Sequence, residues 1–174
     1  MRRRALLTLA GAGLTGGSVW VATGGLASDD GLPVTVETVD ARGSTAGSLA
    51  VPGTGVVTVV DLFATWCGPC IEQMEALAPV HEAYADADDV EFVSVTNERL
   101  GGTLSRDDVR AWWRENDGNW TLGLDPESRL LSALGASGLP YVSVAAPDGS
   151  VAWGESGVTD ASTLRAHVET AREG

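Results

Sequence analysis

Cys67 and Cys70 are the only cysteines of this 174-residue chain, and two residues separate them. Thiols at that spacing can close a disulfide with each other. They can also share an exchange reaction in which one attacks and the other resolves. The attacking sulfur must be a thiolate, and a thiolate needs positive potential beside it. A helix N-terminus supplies that potential through its unpaired N–H groups and the helix dipole. The flanking residues predict such a setting. Val56 to Phe63 is an apolar, β-branched run that reads as a strand, and Ile71 to Ala85 has a helical pattern. The cysteines fall at the junction, in Asp61-Leu62-Phe63-Ala64-Thr65-Trp66-Cys67-Gly68-Pro69-Cys70. Cys67 is expected at the exposed end of the helix. Pro69 fits its first turn, where a missing N–H is harmless. Gly68 adds no bulk beside the sulfurs. Cys70, one turn on, can attack a mixed disulfide formed at Cys67.

Two blander readings compete. A structural disulfide across so short a loop constrains the unfolded chain little. A zinc site normally takes four protein ligands, or three and a water. Only His81 and His167 could join the cysteines. His81 lies three helical turns past Cys70, roughly 16 Å away at 1.5 Å per residue.

Trp66-Cys67-Gly68-Pro69-Cys70 resembles the active-site motif of the thioredoxin superfamily. Asp61, six residues before Cys67, matches the buried acid of thioredoxins proper. The resemblance implies a cis-proline facing the cysteines, and Pro140 matches it in position. It implies a catalytic set of Cys67, Cys70 and Asp61, and a substrate groove of Trp66, Gly68, Pro69, Leu139 and Pro140. Tyr141 is expected to line the groove as well. No organic cofactor or metal is expected beyond the redox-active Cys67–Cys70 pair. Asp61 stands in a strand expected to be covered on both faces, so its pKa should be raised by desolvation. It is the only acid the motif places to accept a proton from Cys70.

The remaining elements must hold this junction. Leu32 to Val39 alternates as a strand, Ala41 to Gly47 is a polar turn, and Ser48 to Val51 returns. That hairpin resembles the N-terminal prelude of exported TlpA/ResA-type thiol-disulfide oxidoreductases. The helix after Cys70 carries Ile71, Met74, Ala78 and Ala85 as an expected core stripe, with Leu77 and Tyr84 alongside, and Pro79 should kink it. TlpA/ResA relatives usually have proline where Glu75 stands and often an acid where Gln73 stands. Val90 to Val95 is a second buried strand. Ser105 and Asp108 form a capping-box signal before Val109, Trp112 and Trp113. Trp120 to Asp125 reads as a strand, Pro126 to Leu134 as a short helix, Tyr141 to Ala145 and Val151 to Trp153 as paired strands. Thr159 or Asp160 should cap a last helix that buries Leu164, Val168 and Ala171. His81 is expected at a core edge, and His167 in a structural role. The expected class is α/β. It is a thioredoxin fold with a central mixed sheet flanked by helices, an N-terminal β-hairpin and a central insertion.

Residues 1–27 read as a twin-arginine-type signal, from Arg2-Arg3-Arg4 ahead of a weakly apolar, glycine-rich run. A retained membrane anchor is the alternative. Residues 28–33 read as a linker and 34–174 as the domain. Net charge is −13, every basic side chain is arginine, and the acids are scattered. That composition resembles proteins of extreme halophiles. It argues against nucleic acid and anionic membrane surfaces as partners. The expected activity is exported thiol-disulfide exchange on protein substrates, more reducing than oxidising, and in the resembling family one role is cytochrome c maturation. A membrane electron donor is the expected partner. A copper chaperone on this fold would use CxxxC spacing, a peroxiredoxin would have Thr where Ala64 stands, and a redox-inactive binding module would not need both cysteines with Asp61 and Pro140.

Overall fold

The computed structural model describes residues 31–174. The signal or anchor assigned to residues 1–27, and the first part of the linker, lie outside the described residues. Eleven elements follow in order: β1 Val34–Thr38, β2 Gly47–Val51, β3 Val57–Phe63, α1 Gly68–Ala83, β4 Val90–Thr96, α2 Arg106–Glu115, β5 Thr121–Leu124, α3 Arg129–Ala133, β6 Tyr141–Ala145, β7 Val151–Ser156 and α4 Ala161–Glu173. One mixed sheet runs β2-β1-β5-β4-β3-β6-β7. The β3–β4 and β4–β5 pairs are parallel and the others antiparallel.

β3 is buried at every position, as its largely apolar sequence, broken by Thr58 and Asp61, requires of a strand covered on both faces. Alternation divides it. Val59 and Phe63 join the core under α1, α2 and α4, with Met74, Leu77, Trp113, Leu164 and Val168. Val60 and Leu62 join a second core with Val36, Leu130 and Tyr141 on the opposite face. Asp61 therefore shares the face of Val59 and Phe63, the face that α1 covers. Leu32, at the edge of the expected linker, is buried in the second core.

The capping signals are realised. Ser105 Oγ accepts from Asp108 N at 3.1 Å, and Asp108 Oδ2 accepts from Ser105 N at 2.8 Å. Asp160, rather than Thr159, caps α4 and accepts from the backbone of Ser162 and Thr163. The turn before β2 depends on Gly43, whose φ is +75° and whose missing Cβ would run into the Asn119 backbone.

The face of α1 differs from expectation. Its buried side chains are Cys70, Gln73, Met74, Leu77 and Val80, followed by Tyr84 beyond its end. Ile71 is 41% exposed, Ala85 is exposed and Ala78 half-buried. Burial of Cys70 sets the phase of the helix, which turns the neighbouring Ile71 outward. Pro79 lies on the exposed side, and the helix continues past it to Ala83.

Candidate active site

Cys67 and Cys70 form a disulfide with 5.3 Å between their Cα atoms. Cys67 is the N-cap of α1, Gly68 opens the helix and Pro69 lies in its first turn. No side chain caps this N-terminus, and its first turn has no acidic residue. Cys67 N and Cys70 N donate to Ala64 O and Cys67 O, so the Gly68 N–H and the helix dipole remain available to a sulfur anion, with no carboxylate in the first turn to oppose it. Gly68 and Pro69 are exposed, and a Cβ on Gly68 would meet nothing within 4 Å.

Cys67 is less open than expected. It is 5% exposed, against 1% for Cys70, because bonding to the buried sulfur turns its side chain inward. Trp66, like Gly68 and Pro69, is open, at 75% exposure. In the core that contains both cysteines, Phe63 stacks on Trp112 with ring centroids 4.5 Å apart. The Leu139–Pro140 peptide is cis, Pro140 is buried, and Leu139 packs against the core that contains both cysteines. Tyr141 does not line the groove. Strand alternation sends it into the opposite core, where its hydroxyl donates to Leu134 O at 3.1 Å.

Asp61 is 2% exposed. Burial pushes its carboxyl up to about 7, against a smaller downward pull from the Ser94 hydroxyl. The register places Asp61 between Ser94 of β4 and Val142 of β6. Ser94 Oγ donates to Asp61 Oδ2 at 2.7 Å, while Asp61 Oδ1 has no hydrogen-bond partner. Trp120 Nε1 donates to Ser94 Oγ at 2.9 Å.

Two further anchors hold the motif. Glu98 accepts from Thr65 N at 2.7 Å and from Thr65 Oγ1 at 3.0 Å, which fixes the loop entering Cys67. Gln73 is fully buried. Its amide oxygen accepts from Thr159 N at 2.7 Å, and its amide nitrogen donates to Thr159 O at 3.2 Å. Sequence reasoning assigned no role to Ser94, Trp120 or Glu98. Ser94 carried a signal, as a hydroxyl set between Val93 and Val95. Glu98 carried none, since its partner lies 33 residues earlier. The histidines are packing residues: His81 lies against Phe92 and Trp120, and His167 stacks on Trp153 at 4.2 Å.

A model of the Redoxin family matches residues 27–171. Thioredoxin-1 of Schizosaccharomyces pombe is 38% identical over 56 residues, which is 32% of this chain. That match spans half the length of the relative. Solved structures of similar fold include StoA from Bacillus subtilis, at TM-score 0.62 and 17% identity, covering 78% of this chain and 97% of that one. A secreted Mycobacterium tuberculosis disulfide oxidoreductase homologous to E. coli DsbE gives TM-score 0.63 and 16% identity, covering 82% and 99%. An exposed lipoprotein thioredoxin of Streptococcus pneumoniae gives 0.60 and 18%, covering 78% and 98%. With its CxxC disulfide at the start of α1 and its thioredoxin fold, the chain belongs to the Redoxin family.

Proposed function

We propose that this chain reduces protein disulfides on the outer side of the cytoplasmic membrane. The observation that carries the reading is the Cys67–Cys70 disulfide at the uncapped start of α1, over the sheet face that holds Asp61. In the reduced protein the Cys67 thiolate attacks one sulfur of a substrate disulfide. That bond breaks, the other substrate sulfur leaves as a thiolate, and a mixed disulfide forms. Cys70 then gives its proton to Asp61 and attacks the Cys67 sulfur. The Cys67–Cys70 bond forms, and the second substrate sulfur leaves. Two electrons pass from the protein dithiol to the substrate, and a membrane partner must return them. No metal or organic cofactor enters these steps. A cytochrome precursor with an oxidised cysteine pair is one substrate this chemistry would accept.

Gly68-Pro69 between the cysteines supports the reducing direction by its likeness to reducing members of the superfamily. Arg2-Arg3-Arg4 supports export, as do solved structures described as secreted or as an exposed lipoprotein. Among the described residues no helix is long and apolar enough to cross a membrane.

The deciding measurement is the reduction potential of the pair. A value near about −270 mV is expected, and one near about −120 mV would make the protein an oxidant. Cys70→Ser should accumulate covalent complexes with substrates and Cys67→Ser should not; the opposite pattern would exchange their roles. Replacing Arg2, Arg3 and Arg4 with lysine should keep the protein inside the cell, and undiminished export would reject the twin-arginine route.

A further inference from the structure

β4 is paired through its backbone with β3 on one edge and β5 on the other. The Ser94 hydroxyl is fully buried between two polar atoms, Trp120 Nε1 and Asp61 Oδ2. An indole N–H can only donate. Trp120 therefore occupies a lone pair of Ser94 Oγ, and the Ser94 hydrogen is directed at Asp61 Oδ2. An unassisted serine could rotate its hydrogen away. The arrangement is thus a one-way chain, Trp120 to Ser94 to Asp61, and donation from the indole strengthens the second bond. Asp61 Oδ1 is left buried and without a partner.

We propose that Ser94, oriented by Trp120, is a positioning residue for the proton transfer between Cys70 and Asp61: it occupies Oδ2 and leaves Oδ1 as the atom that takes the proton. This rests on the proton-acceptor reading of Asp61 given above. The proton leaves the Cys70 thiol for Oδ1, the freed electron pair of sulfur forms the Cys67–Cys70 bond, and the substrate sulfur leaves with the electrons of the mixed disulfide. A hydrogen bond to the charged carboxylate favours the charged form, so Ser94 also keeps Asp61 ionised to lower pH than burial alone would allow. No charged side chain competes for Asp61 in this surrounding. α1 presents Cys70, Gln73, Met74 and Leu77, α4 presents Leu164 and Val168, and β6 presents Val142. The His81 imidazole packs against the Trp120 ring, with centroids 5.1 Å apart.

The test uses Ser94→Ala and Trp120→Phe in the full chain. The Asp61 carboxyl is titrated in the reduced protein by carbon NMR, and the resolution step is followed from pH 5 to 9. Ser94→Ala should move the Asp61 titration up by about one pH unit and slow resolution several-fold at low and neutral pH, with recovery in alkali, where Asp61 ionises without help. Trp120→Phe should shift both in the same direction by less. An Asp61 titration that is the same in Ser94→Ala and the native protein overturns the role of Ser94 while leaving that of Asp61 standing. A slowing that is equal at every pH marks Ser94 as structural only and overturns it too. Normal resolution by Asp61→Asn at all pH values removes the proton acceptor itself, and the proposal with it.

Discussion

Asp61 places a carboxylate where water cannot reach it, and this has a thermodynamic signature. Its folded pKa of about 7 lies above the ordinary 3.8, so between those values the folded protein binds a proton that the unfolded chain has lost. Stability must fall as pH rises through that window. The full difference corresponds to on the order of 4 kcal/mol as an upper bound. Asp61→Asn should remove this loss. Urea unfolding at pH 8 should show the variant more stable than the native protein, with the gap closing toward pH 4; a variant less stable at pH 8 would show that the acid holds the sheet together. The same substitution should slow resolution near neutral pH by ~10²-fold, the usual scale of a general base. The reactive atoms were legible because their chemistry is local: Cys67, Cys70 and Pro69 sit in consecutive residues of one turn. The partners of Asp61 were not, because β3–β4 register, and not chain proximity, brings Ser94 to it.

The order of strands and helices could be read from hydrophobic period and caps, since each signal lies within its own element. Ser105 with Asp108 is the clearest case. What could not be read was the rotation of α1. Ile71 is more apolar than Gln73, and intrinsic hydrophobicity favours burying the former. The structure buries Gln73 because both ends of its amide are satisfied by the Thr159 backbone, which removes the desolvation penalty. Glu98 is the comparable anchor for the strand-to-helix loop. Its carboxylate takes two hydrogen bonds from Thr65 and a third from Thr96 Oγ1 at 3.1 Å. Glu98→Ala should cost about 1–3 kcal/mol and should speed hydrogen exchange at the Thr65 amide at least tenfold more than at amides of β6. Uniform acceleration across the domain would show a general loss of stability and no special hold on the loop.

Over the whole molecule, a net charge of −13 without a single lysine should make stability depend on screening ions. The described ion pairs are few and exposed, as between Arg172 and Asp89 or Arg106 and Glu37, and pairs of that kind contribute little. Self-repulsion is left to salt, whose screening length falls from about 10 Å at 0.1 M to about 3 Å at 1 M. The melting temperature should therefore climb steadily as KCl is raised over that range, and a flat response would show that the acidic surface carries no penalty. The sheet order has a different consequence, for the time course of synthesis. The cysteines are only three positions apart and can meet as soon as they leave the ribosome. Ser94, 33 residues after Asp61, arrives later, and the β6 strand that flanks Asp61 on its other side belongs to the last part of the chain. A half-made chain thus carries two thiols before Ser94 and β6 can close around Asp61. Because distant strands must close around β3 before the site exists, the folded arrangement around the cysteines should form only once nearly all of the chain has been translated.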